Sequence, residues 1–329
     1  MKSKLLAICA ATLLVSVGSS VGAPPLTLVK TIPLPNVSER IDHFAVDTKG
    51  HQLFVAALGN NTLEVIDLAG GKWLTNLVEL HRPTDVLYLT DQNQIAVANS
   101  DEGKLILYQG SSYAFTKAVD AVLDADNLRL APDGKQIYLG YADGALAIID
   151  TKTFKQTASI KLPAHPESFQ LEPDGNRIFV NVPDAKQIVV IDREQQKVVA
   201  TWPMEKFQAN FAMALDASSH RLFVGCRSPA RLLVLDTATG KMVSDYPISG
   251  DIDDLFYDAA RKRLYLSCGE GFIDVFDQQT ADKYKLRERI PTRAGARTSF
   301  FSPELNQFYL AVPQHRKKDA EIRVYQLPK

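Results

Sequence analysis

One short apolar pattern returns seven times along the chain. It reads HQLFVAA at 51–57, NQIAVAN at 93–99, KQIYLGY at 135–141, NRIFVNV at 176–182, HRLFVGC at 220–226, KRLYLSC at 262–268 and NQFYLAV at 306–312. Taken at Leu53, Ile95, Ile137, Ile178, Leu222, Leu264 and Phe308, the copies are 42, 42, 41, 44, 42 and 44 residues apart. A period this regular excludes most architectures, because the chain must be built from one supersecondary unit stacked on its own copies.

A second β-branched run follows every copy: LEVIDL at 63–68, LILYQG at 105–110, LAIIDT at 146–151, IVVIDR at 188–193, LLVLDT at 232–237, IDVFDQ at 273–278 and IRVYQL at 322–327. Asp67, Asp150, Asp192, Asp236 and Asp277 close five of these runs, where a carboxylate accepts backbone N–H groups of the next turn. A strand precedes the first run, as in HFAVD at 43–47, and another trails the second, as in KVVATWP at 197–203. Four strands per unit result. The middle ones are apolar on both faces, which suits sheets sandwiched between neighbouring sheets. Four-stranded units of this length repeated radially describe an all-β, seven-bladed β-propeller.

The ends supply the closure. The last unit has no outer strand after Leu327, whereas LTLVKTIPL at 26–34 is a strand ahead of the first unit, so the N-terminus is expected to complete the last blade. Upstream, Lys2 and Lys4 precede an uncharged apolar run from Leu5 to Val17 and then small residues, the order of a secretory signal. The expectation is a signal at 1–22, a single propeller domain at 23–329, and a periplasmic or secreted monomer with no transmembrane segment. Without Lys2 and Lys4, 35 basic residues face 38 acidic ones. That balance argues against a nucleic-acid partner, which needs a strong cationic excess.

The repeat resembles the YVTN-type β-propellers, including YncE-like exported proteins, over essentially the whole of 23–329. IAVAN at 95–99 is similar to that family's strand signature, and APDG at 131–134 and EPDG at 172–175 look like its turn. RIDHFAVD at 40–47, HPESFQLEPDG at 165–175 and GARTSFF at 295–301 look like segments of a YncE-like subgroup. The resemblance implies the fold; it implies no settled activity.

Strand parity within a blade places the outer-to-inner crossovers on the same face as the loops between second and third strands. The residues opening each inner strand converge there: Asp42 and His43, Thr84 and Asp85, Asp126 and Asn127, Glu167 and Ser168, Asn210 and Phe211, Asp253 and Asp254, Arg297 and Thr298. Three readings of this ring stand open. Its side chains cap inner strands and satisfy orphan N–H groups. Alternatively they bind a small polar ligand or a protein partner, with Arg82 and Arg297 as donors to a carboxylate or phosphate. In the third reading Asp42, His43, Asp85, Asp126, Asn127, Glu167 and Asp254 supply ligands for a divalent cation, with Asp85, Asp126 and Glu167 the leading candidates. Crowded carboxylates repel, and Arg40, Arg82, Arg129 and Arg297 are at hand to offset them.

No HExxH, GxSxG, CxxCH, GxGxxG or P-loop pattern occurs. No cofactor is therefore expected beyond a possible divalent cation, and no catalytic residue is named. Cys226 and Cys268 occupy equivalent places on adjacent blades, which fan apart, so two buried thiols are expected. His51 and His220 fall in solvated turns, and His81 and His165 near crossovers. The basic stretch His315 to Lys318 is expected to be a solvated loop. The sequence thus points to a binding scaffold working through its channel mouth, with a metal-assisted lactonase-like hydrolase or a redox accessory protein as alternatives.

Overall fold

The structure is a computed structural model that describes residues 23–120, 124–142 and 144–328. The expected export signal at 1–22 lies outside the described residues. Seven four-stranded antiparallel sheets form the blades, in chain order at 44–77, 83–120, 128–161, 169–203, 208–247, 252–291 and 299–326. The strand Thr27–Leu34 supplies the outermost position of the last blade, where it pairs antiparallel with Ala320–Gln326 from Thr27↔Gln326 to Leu34↔Ala320. Among the described residues no helix is long and apolar enough to cross a membrane.

The core lies between blades rather than inside them. Seven apolar clusters occupy the seams, and each draws on two neighbouring sheets. Blade 1 contributes Leu53 and Val55 to its seam with blade 7, where Ile32, Leu34 and Ile322 meet them, and Phe54 and Val65 to its seam with blade 2. This is why the middle strands carry apolar residues on both faces: each face is a wall of a different seam. Cys226 and Cys268 are both free and buried, in separate seams.

The turn aspartates behave as expected at four of the five places. Asp67 accepts the Gly70 N–H at 2.8 Å, Asp150 that of Thr153 at 2.8 Å, Asp192 that of Gln195 at 2.8 Å and Asp236 that of Thr239 at 2.9 Å. Asp277 is the exception. There the strand continues to Thr280, so no turn begins at Asp277, and its carboxylate instead accepts from Arg263 and Arg287, both at 2.9 Å.

Candidate functional site

Propeller register decides which side chains meet on the axis. Asp42, Thr84, Asp126, Glu167, Phe211, Asp253 and Arg297 are separated by 42, 42, 41, 44, 42 and 44 residues, the steps of the strand repeat itself. All seven line one chamber of about 190 Å³ at the mouth of the channel, with Arg40, Arg82, Asp124 and His165 added from the loops and Arg227 from the strand Arg221–Ser228. Neighbouring side chains on an extended strand point apart. The residue following the ring position therefore enters a lower layer in blades 1, 2, 4 and 6. His43, Asp85, Ser168 and Asp254 line a second chamber of about 290 Å³ together with Arg129, Gln170 and Ser299.

The ring anticipated from sequence is thus two layers and a remainder. Asp42, Arg82, Asp126, Glu167, Asp253 and Arg297 are at the mouth, and His43, Asp85, Ser168 and Asp254 are in the channel. Asn127, Asn210 and Thr298 line neither chamber, and all three are buried. Asn210 sits at a register shift, where its amide donates to Asn181 Oδ1 at 2.9 Å, while the Thr298 hydroxyl donates to the Ile41 carbonyl at 3.0 Å. These contacts join one blade to the next. The His315–Lys318 loop closes on itself through backbone hydrogen bonds of 3.1 and 3.0 Å and lines neither chamber.

In the channel layer, aspartates serve the strand-capping role. An inner strand has no partner on its axial side, so its N–H groups need acceptors from elsewhere. Asp85 takes the Val86 N–H at 2.7 Å and, across the blade boundary, the Leu128 N–H at 2.8 Å, and it pairs with Arg129 at 3.3 Å. Asp254 accepts the Ser299 N–H of the next blade at 2.6 Å.

His43 stands between carboxylates, with Nε2 3.7 Å from Asp42 and Nδ1 3.8 Å from Asp254. Burial opposes its charge, but Asp42, Asp254 and Asp85 outweigh that and push His43 up to about 10. Burial raises Asp254 to about 7 and Asp42 to about 6, against the pull of His43 on both. All three groups bind protons more tightly folded than unfolded, so their contribution is complete below the unfolded values and is lost as pH rises through the folded ones. The melting temperature is accordingly expected to fall by several degrees between pH 6 and pH 10 in a calorimetric series, with a shallower slope in His43→Asn. A flat profile in the wild type would contradict this electrostatic picture.

The mouth is charged but unevenly paired. Asp42 is bound by Arg40 at 3.0 Å, and Asp253 by Arg227 at 2.5 Å and Arg297 at 3.1 Å. Arg297 also holds Asp251 at 2.9 Å, and Arg227 lies 3.9 Å over the Phe211 ring. Asp126 and Glu167 have no such partner: among the described residues no guanidinium lies within 4 Å of either carboxylate. Their neighbour is His165, whose Nε2 is 3.4 Å from Asp126 Oδ2.

His165 Nδ1 is 2.8 Å from the Ala142 carbonyl, an acceptor, so Nδ1 carries the proton and Nε2 is turned into the mouth. The segment bearing His165 and Glu167 is stiffened by Pro163 and Pro166. It crosses close over Gly144, where φ is +140° and a Cβ would stand 2.7 Å from the Leu162 and Ala164 carbonyls. Hydrogen bonding to Asp126 raises His165 to about 9 in spite of burial. Glu167 is raised to about 8 by burial and then by the charge of Asp126. Asp126 itself is lowered: burial opposes this, but His165 and the charges of His43 and Arg40 prevail.

Asp126, His165 and Glu167 offer donor atoms all within 4.8 Å of one another. Asp85, expected beside Asp126 and Glu167, lies in the lower layer because it is one residue past the ring position, and His165 takes its place. Position pointed to Glu167 but not to His165, which is a loop residue two places earlier. Arg227, near the end of the strand Arg221–Ser228, and Asp251, just before the strand that starts at Ile252, were equally hidden, since neither stands at a ring position of the repeat.

No family model and no curated protein matches the chain. Solved structures do. Hydrazine synthase of Kuenenia stuttgartiensis is similar over 84% of this chain and 94% of that one, at 17% identity and a TM-score of 0.73. A chain of the mitotic checkpoint complex is similar over 100% of both chains, at 14% identity and a TM-score of 0.78. At such identities the likeness shows the fold alone, the β-propeller described above.

Proposed function

We propose that this protein is an exported binding protein that takes a small polar ligand bearing groups of opposite charge at the mouth of its channel. The observation that carries the reading is the sorting of charge around one chamber. Arg40 and Arg82, about half exposed at 46% and 48%, lie toward blades 1 and 2, whereas the carboxylates without a guanidinium, Asp126 and Glu167, belong to blades 3 and 4. An anionic group is served by the first sector and a cationic one by the second. The volume of about 190 Å³ equals roughly six waters of liquid, which suits a small molecule or one inserted side chain better than a folded partner. Arg297, anticipated as a donor, is held by two carboxylates, Asp251 and Asp253, whereas Arg40 and Arg82 each pair with one, Asp42 and Asp101, and are more exposed, so Arg40 and Arg82 take that role.

The segments that resemble YncE-like proteins, at 40–47, 165–175 and 295–301, include Arg40, Asp42, His165, Glu167 and Arg297 of the mouth. This coincidence supports placing the protein in that group. The signal-like order of 1–22 supports a periplasmic or secreted location.

Thermal-shift screening with amino acids, dicarboxylates and sugar phosphates tests the proposal. A compound with both charges should raise the melting temperature of the wild type, and Arg82→Ala and Arg40→Ala should each abolish the effect. Equal stabilisation of all three proteins, or none by any compound, would count against the mouth as the site.

A further inference from the structure

We infer that Asp126, His165 and Glu167 form a site for one divalent transition-metal cation of the zinc type, through which the mouth holds an oxygen atom of its ligand. The inference rests on the reading of the mouth as the binding site and deepens it: the bound cation, in place of a cationic group of the ligand, occupies the sector of Asp126 and Glu167.

Geometry is the first support. Donor atoms of the three side chains lie within 4.8 Å of one another, and His165 Nε2 stands 3.4 Å from Asp126 Oδ2. Bonds of about 2.1 Å at a tetrahedral angle separate two ligand atoms by roughly 3.4 Å. That edge is already present.

The second support comes from outside the cluster. Metal-bound imidazoles commonly donate their other N–H to a carbonyl or carboxylate, which fixes the tautomer and aims the free nitrogen. The Ala142 carbonyl, 2.8 Å from Nδ1, does this for His165. Asp124 stands 3.5 Å from the same nitrogen and reinforces it. Gly144 and the two prolines hold the crossover in place, so the donors are set before any ion arrives.

Charge is the third. Asp42 and Asp253 have arginine partners, and the sector of Asp126 and Glu167 is the part of the ring where cationic charge is short. The donor chemistry selects the ion. Calcium takes 6–8 oxygens, which one imidazole and two carboxylates do not supply, whereas zinc accepts nitrogen and carboxylate oxygen in four-coordinate sites. Three protein ligands leave one position facing the chamber.

Titration of Zn²⁺ into chelator-stripped protein, followed calorimetrically and by the visible absorption of a Co²⁺-substituted sample, tests the site. One equivalent should bind. His165→Ala and Glu167→Gln should each weaken binding at least about tenfold, while His220→Ala, which removes an exposed imidazole, should match the wild type. Melting curves without metal show that the variants are folded; Glu167→Gln keeps the side-chain shape should His165→Ala fail to fold. Absence of saturable binding, unchanged affinity in Glu167→Gln, or loss in His220→Ala would overturn the inference. Protein that ignores Zn²⁺ but still takes charged compounds in an Arg82-dependent way refutes the cation and leaves the mouth reading intact. Protein that binds Zn²⁺ through His165 and Glu167 but takes no compound, with or without the metal, refutes that reading instead.

Discussion

Deletion of residues 24–35 is expected to open the ring and remove most of the protein's stability. The deleted segment carries Ile32 and Leu34, both 0% exposed in the seam between blades 7 and 1, and Leu26 in the seam between blades 6 and 7. Full burial of such side chains contributes about 1.5–3 kcal/mol each. Three of them therefore represent several kcal/mol against a typical total of about 5–15 kcal/mol. The backbone pairing from Thr27 to Leu34 is lost as well. The exposed edge of Ala320–Gln326 then becomes a template for another chain. Calorimetry should show the melting temperature lowered by more than ten degrees, and size exclusion should show association. Leu34→Ala, which leaves the ring closed, should cost about 2–5 kcal/mol. A truncated protein that stays monomeric and melts with the wild type would show that closure does not depend on this strand.

Asp85→Ala is expected to be the most damaging single substitution among the anticipated ring residues, and for a reason unrelated to ligand binding. The Asp85 carboxylate is 3% exposed. It satisfies the Val86 and Leu128 N–H groups and pairs with the Arg129 guanidinium, so its removal leaves two buried donors without this acceptor and a partly buried cation without its carboxylate, although Arg129 still donates to the Leu128 carbonyl. Breaking a buried charged contact of this kind costs about 3–5 kcal/mol. Asp85→Asn keeps one acceptor and should lose less. Arg82→Ala, on an exposed side chain, should stay within about 0.5 kcal/mol of the wild type. Denaturant melts of the three variants make the comparison. Should Asp85→Ala prove as stable as Arg82→Ala, the carboxylate would not be a clasp between blades 2 and 3.

The site was legible in the sequence wherever it follows the repeat. Asp126 and Glu167 could be placed together because both stand at the ring position of their blades, and the same register separates Asp85, one residue further on, into the layer below. That signal was present in the numbering. His165 was not legible in this way. Its approach to Asp126 depends on a crossover that passes over Gly144 and ends on the Ala142 carbonyl, contacts between segments some 20 residues apart in sequence. Asp277 went astray for a related reason, since the length of its strand is set by the pairing with Lys283–Pro291 and not by the residue itself.

Periodicity alone determined the number of blades, the four strands in each and the pair of residues that opens every inner strand, because a β-strand's alternation and a radial stack are both one-dimensional rules written along the chain. Only the tertiary structure decided which charges neutralise one another at the mouth. Arg297 and Arg227 converge on Asp253 while Asp126 and Glu167 are left with His165, an outcome that depends on loop paths and on the distances across the axis. Coulombic and hydrogen-bond partnerships are set by separations of a few ångströms in space, and no spacing along the sequence encodes them.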